Sequence, residues 1–211
     1  MNPGIAVSVI GAGGHGKVVV STLQAAGLMV DAVYDDDSAK HGRRVLGIPV
    51  LGPVRQLRAK TGARAVIAVG DNGVRKRLTQ ELEGLVWVSV IHPRAVVHES
   101  VLVGEGAVVF AGAVIQPEAV VGRHAIVNSA ASVDHDCVLG DFSHVGPGAH
   151  LSGATVLGEG AFLGTASGTK EGVRVGAWTT VGVGGVVVRD LPERVVAVGV
   201  PARPLRRAAS P

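Results

Sequence analysis

A histidine between two acids is the stretch of this sequence best equipped for proton transfer. Residues 133–144 read V-D-H-D-C-V-L-G-D-F-S-H, so His135 lies directly between Asp134 and Asp136. An imidazole with an ordinary pKa of about 6.5 exchanges protons near neutral pH, and a neighbouring carboxylate can orient the ring. The stretch is therefore either a polar interruption of a core or a reactive site, and the elements around it decide between the two.

A glycine-rich turn near the start of the chain suggests a second site. Gly11, Gly13 and Gly16 match G-x-G-x-x-G between an apolar run and a helical pattern. Such glycines let backbone amides approach a phosphate at a helix N-terminus. Asp35 and Asp36, about twenty residues on, are placed to accept hydrogen bonds from a base or ribose. About 90 residues are too few for both halves of a dinucleotide site, so a nucleoside diphosphate fits better. A turn that binds no ligand is the alternative.

The second half of the chain repeats every six residues. Of the seventeen positions spaced six apart from Ile91 to Val187, sixteen are Ile, Val or Leu, and Thr169 is the exception. Four residues after each of the first sixteen comes a small or slim residue, and Cys137 is one of them. This period predicts a β-solenoid with three-sided coils of eighteen residues. It also predicts that Cys137 is structural and that His135, two residues after inward Val133, can point outward.

The first half alternates apolar runs with helical patterns. Strands alternating with helices indicate a small α/β domain with a parallel sheet. The predicted strands are 5–10, 28–34, 65–70 and 85–90, and the predicted helices are 17–27, 54–62 and 74–84. The chain is therefore divided into an α/β domain (1–90) of Rossmann-like type, a solenoid (91–190) and a basic C-terminal tail (191–211).

The composition excludes several classes of protein. Aromatic residues make up 3% of the 211 residues against 31 glycines, which favours thin layers of small side chains. A net charge of +3 is too small to indicate nucleic-acid binding. The single cysteine rules out an internal disulfide and favours a reducing compartment. Mean hydropathy is +0.39, but no uncharged apolar run reaches the roughly 18 residues of a membrane span. We expect a cytoplasmic protein.

Several stretches together resemble the hexapeptide-repeat sugar acetyltransferases related to sialic acid O-acetyltransferases and UDP-4-amino-sugar N-acetyltransferases. The matching pieces are V-I-G-A-G-G-H-G-K-V-V (9–19), Y-D-D-D (34–37), A-V-G-D-N-G-V-R-K-R-L (68–78), residues 126–149 and V-G-V-P-A-R (198–203). The resemblance implies a left-handed parallel β-helix, a homotrimer with active sites between subunits, acetyl-CoA as donor and a nucleotide sugar bound by the first domain. Many relatives have two amides where this chain has Asp71 and Asn72.

The resemblance also implies roles for individual residues of the solenoid. His135 is the expected general base and Asp136 the carboxylate that orients it, with Asp134 as the rival for that role. His144, nine residues on, lies on another side of the coil and is expected to contact the thioester or pantetheine held by a neighbouring subunit. Asn128 is expected to help place the substrate.

Other residues are expected to meet the two substrates. Gly146, Gly164 and Gly182 recur every eighteen residues and could let pantetheine lie along the solenoid, although a steric requirement of the corners explains them equally well. Arg203 is expected to meet phosphates of CoA. In the first domain the expected contacts to the nucleotide sugar are made by Gly11, Gly13, His15, Gly16, Lys17, Asp35, Asp36 and Asn72.

The predicted activity is transfer of acetyl from acetyl-CoA to the amino group of a nucleotide-linked sugar of the UDP-4-amino-4,6-dideoxy type, in bacterial glycan synthesis. O-acetylation of sialic acid or another sugar hydroxyl is the first alternative. A zinc enzyme of carbonic-anhydrase type, with three ligands shared between subunits and drawn from four histidines, and a non-catalytic nucleotide-sugar-binding scaffold are the others. The four histidines are His124, His135, His144 and His150. No metal is expected for the acetyltransferase.

Overall fold

The computed structural model describes residues 6–207, and the chain separates into two compact units between Pro93 and Arg94. Ile5, the predicted start of the first strand, lies outside the described residues. No helix among residues 6–207 has both the length and the apolar character needed to cross a bilayer. The cytoplasmic location stays a prediction.

The first unit contains a six-stranded sheet with strand order β3-β4-β2-β1-β5-β6, in which only the β3–β4 pair is antiparallel. Its strands are β1 (Val7–Ile10), β2 (Val30–Tyr34), β3 (Arg44–Val45), β4 (Ile48–Gly52), β5 (Arg64–Ile67) and β6 (Val86–Trp87). Its α-helices are α1 (Gly14–Ala25) and α2 (Asn72–Glu81), and it has 3₁₀ segments at Ser38–Lys40 and Val54–Ala59. All four residues of β1 are buried, as expected for a central parallel strand.

Two elements of this unit differ from the prediction. The segment 54–62, predicted as a helix, is only a 3₁₀ segment, Val54–Ala59, whose Lys60 N–H donates to Leu57 O three residues back. A hairpin, β3–β4, was not predicted. It turns at Leu46 and Gly47, both with positive φ (46° and 86°). Two-residue hairpins favour Asn-Gly or Asp-Gly at these positions, so Leu-Gly gave no turn signal.

The second unit is a parallel β-helix of two-residue strands repeated every six residues on three faces. The first face contains β10, β13, β16, β19 and β22, the second β8, β11, β14, β17, β20 and β23, and the third β9, β12, β15, β18 and β21. The last strand of the first unit is β7 (Val90–Ile91). The strands of the second unit are β8 (Val96–Val97), β9 (Leu102–Val103), β10 (Val108–Val109), β11 (Val114–Ile115), β12 (Val120–Val121), β13 (Ile126–Val127), β14 (Ser132–Val133), β15 (Val138–Leu139), β16 (His144–Val145), β17 (His150–Leu151), β18 (Val156–Leu157), β19 (Phe162–Leu163), β20 (Gly168–Thr169), β21 (Arg174–Val175), β22 (Thr180–Val181) and β23 (Val186–Val187).

The second residue of each of these strands forms the core. From Val109 onward every predicted inward position is buried, including Thr169, whose hydroxyl lies 2.9 Å from Thr155 Oγ1. Cys137 is buried as predicted, and burial raises the pKa of its thiol. Ile91, the first member of the predicted series, is instead 39% exposed, because it precedes the complete coils.

The corners of the coils use a left-handed residue once every six positions. Positive φ values recur at 106, 112, 118 and onward to 184, at both glycine and other residues. Asp136 is one of them, with φ 58°. Aspartate tolerates this conformation better than most residues, so the corner backbone accepts Asp136 at low cost.

The segment predicted as a bare tail is partly strand. β24 (Val195–Val198) pairs in parallel with β22 on the first face, and β25 (Arg203–Arg207) pairs antiparallel with β24. Ala197 is fully buried, so this hairpin closes the C-terminal end of the core.

Candidate active site

His135 lies at the corner between the second and third faces, between β14 and β15. Its Nδ1 is 2.7 Å from Asp136 Oδ2, while its backbone N–H donates to Asp134 Oδ1 at 2.8 Å. An ionised carboxylate only accepts hydrogen bonds, so Nδ1 carries the proton and Nε2 is left as an acceptor. The structure thus places Asp136, and not Asp134, against the imidazole. The side chains of His135 and Asp136 are 59% and 60% exposed.

The charge around His135 favours its protonated form. The hydrogen bond to Asp136 raises the pKa of the imidazole above its ordinary value, and the negative charge of Asp134 raises it further. The neutral ring, which is the form able to take a proton, therefore predominates at a higher pH than for a free histidine. The arrangement can act as a general base with a built-in partner for the imidazolium.

Gly153, one coil further along, lies against this ring. A Cβ placed on Gly153 would be 2.6 Å from both Cε1 and Nε2 of His135. The sequence analysis did not identify Gly153. The signal that could have found it is its position eighteen residues after His135, which is one complete coil.

His144 and Asn128 lie together on the first face, away from the His135 corner. Asn128 Nδ2 donates to His144 Nε2 at 3.0 Å, and Asn128 Oδ1 accepts the N–H of Ser129 at 2.8 Å, which fixes the amide orientation. His144 is only 8% exposed and its ring centroid is 4.9 Å from that of Phe162. The nine-residue spacing thus separates His135 from His144 within one chain. The predicted contacts of His144 with acetyl-CoA and of Asn128 with substrate stay predictions.

The glycine column on the next corner has a packing reason. A Cβ on Gly146 would be 2.5 Å from Leu163 O, one on Gly164 2.8 Å from Val181 O, and one on Gly182 2.9 Å from Val198 Cγ1. At Gly146 and Gly164 the backbones of neighbouring coils therefore approach too closely for a side chain, whereas at Gly182 the obstacle is the side chain of Val198. The contact of these glycines with pantetheine stays a prediction.

Arg203 lies beside an open cavity at the C-terminal end of the β-helix. Arg203 is exposed, and the cavity is lined by Val188, Arg189, Asp190, Leu191, Pro201, Ala202, Arg203 and Pro204. Two arginines suit an anionic group there. The predicted contact of Arg203 with CoA stays a prediction.

In the first unit the glycine-rich turn leads directly into α1. Gly11 has φ 115°, and a Cβ on it would be 2.7 Å from Ala68 O. A Cβ on Gly16 would overlap Gly11 O, so the start of α1 packs closely on β1. In contrast, Gly13 has open space around it and α1 has no side-chain N-cap. The N–H groups of the first turn of α1 are thus positioned as an anion site requires.

His15 and Lys17 lie in the first turn of α1. Burial, with the nearby positive charge of Arg75, lowers the pKa of His15 to about 4, so its ring is neutral at pH 7. Lys17 is exposed. Their contacts with a diphosphate stay predictions.

The two predicted ribose or base ligands already have partners in the protein. Asp35 Oδ2 accepts the N–H of Ala12 at 2.7 Å and contacts Lys40 Nζ at 3.0 Å. Burial pulls the pKa of Asp35 upward, but these bonds and the Asp37 N–H hold it below its usual value. Asp36 Oδ1 accepts the N–H of Val54 at 2.9 Å. Asp35 therefore ties the end of β2 to the glycine-rich turn, and Asp36 ties it to the 3₁₀ segment that starts at Val54. The contact of both acids with a nucleotide stays a prediction.

Asn72 begins α2, after β5, where Asp71 caps the helix through Val74 N–H at 2.8 Å. Three residues on, Arg75 is 1% exposed and donates to the carbonyls of Val69 and Gly70 at 3.2 and 3.0 Å. Burial lowers its pKa to about 9. The sequence analysis missed Arg75, because an arginine in an amphipathic helix is normally exposed. The predicted role of Asn72 in substrate binding stays a prediction.

The four histidines considered for zinc lie apart in this chain. His124 stacks on Phe142 with centroids 5.4 Å apart, and His150 Nδ1 lies 2.8 Å from Ser132 Oγ on the second face. Within residues 6–207 no three His, Cys, Asp or Glu side chains come close enough to hold a metal ion.

Comparison with known proteins identifies relatives of the whole chain. Residues 6–82 match the family model described as PglD N-terminal domain. The chain is 29% identical over 213 residues to a GDP-perosamine N-acetyltransferase of Escherichia coli O157:H7, which covers 95% of this chain and 96% of that protein.

Solved structures are more similar still. A histidine mutant of perosamine N-acetyltransferase from Caulobacter crescentus, in complex with CoA and GDP-perosamine, is 44% identical over 97% of both chains, with a TM-score of 0.89. The acetyltransferase domain of PglB from Neisseria gonorrhoeae, in complex with acetyl coenzyme A, is 40% identical over 96% of this chain and 100% of that one, with a TM-score of 0.89. These structures confirm the predicted left-handed β-helix after a small α/β domain.

Proposed function

Because this chain belongs to the hexapeptide-repeat sugar acetyltransferase family, we propose that it transfers acetyl from acetyl-CoA to the amino group of a nucleotide-linked amino sugar. The observation that carries the proposal is the exposed His135 imidazole, whose Nδ1 is bonded to Asp136 and whose Nε2 is an acceptor. A general base in this state is what transfer to a weakly nucleophilic amine or hydroxyl requires.

The reaction follows from that geometry. Nε2 of His135 takes a proton from the sugar amine as its nitrogen attacks the thioester carbonyl carbon of acetyl-CoA. The C–N bond forms, the C–S bond then breaks, and the CoA thiolate leaves and takes up the proton that His135 holds. Asp136 stabilises the imidazolium between these two steps, as the acid of a catalytic triad does. The thioester supplies the driving force, so neither a redox group nor a metal is needed to balance the reaction.

The acceptor is a nucleoside diphosphate sugar held by the first unit. The N-terminus of α1 and its glycine-rich turn suit a diphosphate, and the buried charge of Arg75 near His15 adds positive potential to the same region. Among the relatives, perosamine N-acetyltransferase was solved with GDP-perosamine, while a Bacillus subtilis relative, 39% identical over 109 residues, is a UDP-N-acetylbacillosamine N-acetyltransferase. GDP-perosamine is the first acceptor to test, and UDP-linked 4-amino sugars are the second.

The active assembly is a homotrimer with sites between subunits. The third face carries an outward aliphatic column, Leu102, Val120, Val138 and Val156, of which Leu102 is 67% exposed. This column lies on one side of the edge that carries His135, and exposed Val96 lies on the other side, two coils away from it. Apolar, flat faces of this kind are typical of surfaces buried between identical subunits. A trimer would thus cover these faces and enclose His135.

A thiol-release assay tests the function. Acetyl-CoA is supplied with GDP-perosamine, with UDP-linked 4-amino sugars, and with sialic acid as a hydroxyl acceptor, and the acetylated product is identified by mass spectrometry. We expect release with a nucleotide-linked amine and none with sialic acid. The proposal would be contradicted if thiol were released with sialic acid alone, or if none of the nucleotide-linked amines supported release.

A further inference from the structure

Gly153 lies against the imidazole ring of His135, which is one coil away. The Cα of Gly153 faces the imidazole, so a Cβ there would be 2.6 Å from Cε1, 2.6 Å from Nε2 and 3.2 Å from Nδ1 of His135. Gly153 is buried although it lies at a corner of the coil. The ring therefore rests on the backbone of the next coil, with its acceptor nitrogen among the closest atoms.

The backbone around Gly153 is fixed to the His135 corner on both sides. Ala154 N–H donates to His135 O at 2.9 Å, and Asp134 N–H donates to Leu151 O at 3.1 Å. Gly153 lies between these two bonds, so it cannot move away from the ring without breaking one of them.

Two buried threonines and the half-buried Ser152 form a hydroxyl cluster that holds the same turn from inside. Ser152 N–H donates to Thr169 Oγ1 at 3.1 Å, and Ser152 Oγ donates to Thr169 O at 2.7 Å. Thr155 Oγ1 donates to Ser152 O at 2.7 Å. Thr169 is the one non-aliphatic member of the inward series, and its hydroxyl replaces a methyl group at the level of this turn. These bonds add to the rigidity of the surface on which the ring rests.

We propose that Gly153 is a positioning residue for His135: the missing side chain at this position creates the flat seat that holds the imidazole with Nδ1 on Asp136 and Nε2 directed at the substrates. The expected effect on kcat rests on the proposed acetyl transfer, but the expected displacement of the His135 ring does not. A methyl group at position 153 would displace the ring, because the ring is the movable partner and the backbone is not.

The test is Gly153→Ala with Gly168→Ala as the matched control. Both glycines lie outside the positive-φ region, so alanine suits their backbones, but a Cβ on Gly168 meets only His150 O at an ordinary 3.6 Å. We expect Gly153→Ala to lower kcat on the order of tenfold to a hundredfold with a small change in KM, because an ångström of misplacement of a catalytic group has effects of that size. Gly168→Ala is expected to stay within about twofold of the wild type on the same measure.

A second measurement does not depend on activity. The pKa of His135 is followed by NMR from the ring proton on Cε1, assigned by its loss in His135→Asn. In Gly153→Ala we expect this pKa to fall towards the ordinary histidine value, since the displaced ring loses Asp136. If the wild type transfers no acetyl to any acceptor, the proposed function fails while this titration still decides the role of Gly153. An unchanged kcat together with an unchanged His135 pKa would overturn the inference.

A double variant shows the cause if Gly153→Ala fails to fold. If Gly153→Ala is unstable because its methyl group meets the imidazole, then adding His135→Ala removes the clash, and we expect the melting temperature to return to that of His135→Ala alone. A double variant that stays unfolded shows that the methyl group meets something other than the ring, and it would refute the role of Gly153 as a seat for His135.

Discussion

At the scale of single residues, the chemistry depends on which nitrogen of His135 carries the proton. The 2.7 Å contact with Asp136 assigns that proton to Nδ1. The family resemblance favoured Asp136 for this contact, with Asp134 as the rival, since both adjoin the histidine. The corner backbone separates them: Asp136 takes the left-handed conformation, and Asp134 is occupied by the N–H of His135.

The pH dependence of the reaction follows from this pair. The His135 pKa is raised, so the free base accumulates only as pH rises through that raised value, and kcat/KM is expected to rise with pH above the ordinary 6.5. Asp136→Asn, which suits the same left-handed backbone, is expected to shift this rising limb to lower pH and to lower kcat about tenfold or more. His135→Asn is expected to remove the limb altogether and to lower kcat roughly 10²- to 10⁴-fold.

The measurement is a pH–rate profile for the three proteins, with circular dichroism melts to show that each is folded. A rising limb at the same pH in Asp136→Asn and the wild type would mean that Asp136 does not set the titration.

His15 predicts an acid sensitivity of the first unit. Its folded pKa of about 4 lies below the ordinary value, so between about 6.5 and 4 the unfolded chain binds a proton that the folded chain does not. The stabilising contribution is complete above pH 6.5 and is lost as pH falls through this window, by up to about 3 kcal/mol. His15→Asn is expected to flatten this part of the stability curve. The check is urea unfolding at pH 7 and pH 5, where equal losses in the two proteins would exclude His15 as the cause.

Residues of the first unit show the limit of reading ligands from sequence. Asp35 and Asp36 have the type and spacing of nucleotide ligands, yet their carboxylates accept N–H groups from Ala12 and Val54. A motif reports which residues meet at the end of a strand, but not which partner each one takes. Arg75 was missed for the reverse reason, since its helix pattern marks it as exposed.

At the scale of elements, the six-residue period predicted the second unit almost completely, because one geometric rule fixes every coil. Substitution of Gly164 tests whether the coils must stack this closely at a corner. Since a Cβ on Gly164 would be 2.8 Å from Val181 O, Gly164→Ala is expected to lower the free energy of unfolding by about 1 to 3 kcal/mol. Gly168→Ala is expected to be neutral. Thermal melts of both variants provide the comparison, and equal melting temperatures would show that the coils can separate to admit a methyl group.

The elements that were not predicted from the sequence have no repeating pattern of this kind. The 3₁₀ segment at Val54–Ala59 has helix-forming residues, but it follows Pro53 and closes after six residues, too short a run for a stable α-helix. The strands β24 and β25 come from a segment whose basic residues indicate a solvated tail. Their pairing depends on the open edge of β22, which no local pattern reports.

At the scale of the whole molecule, the proposed trimer makes a prediction about surface. Val138 is 39% exposed on the third face, so Val138→Lys is expected to leave the chain folded but to separate the subunits, with loss of acetyl transfer. Leu51→Lys, at a 55% exposed residue of the first unit, is the control that should stay trimeric. Sedimentation gives the masses. A wild-type protein with the mass of one chain, or a Val138→Lys protein with the mass of three, would contradict the proposed interface.

Mixing experiments test whether the sites are shared. His135→Ala and His144→Ala chains are inactive alone if each site takes one histidine from each of two neighbours. Random co-assembly then restores about a quarter of the sites, because a quarter of neighbouring pairs supply both histidines. A mixture that stays as inactive as either variant alone would show that the sites are not shared.

The unbroken winding of the β-helix restricts how its length can vary. His135 and Gly153 meet because exactly one circuit of the chain separates them, as do the stacked residues of every face. An insertion of six residues between them would keep the strands and turns intact, yet rotate everything beyond it by one face and leave the imidazole over an unrelated corner. Only gains or losses of eighteen residues keep the faces in register, and between His135 and Gly153 an insertion of that length would still place a different residue against the ring. Length variants of this protein should therefore be tolerated in whole circuits.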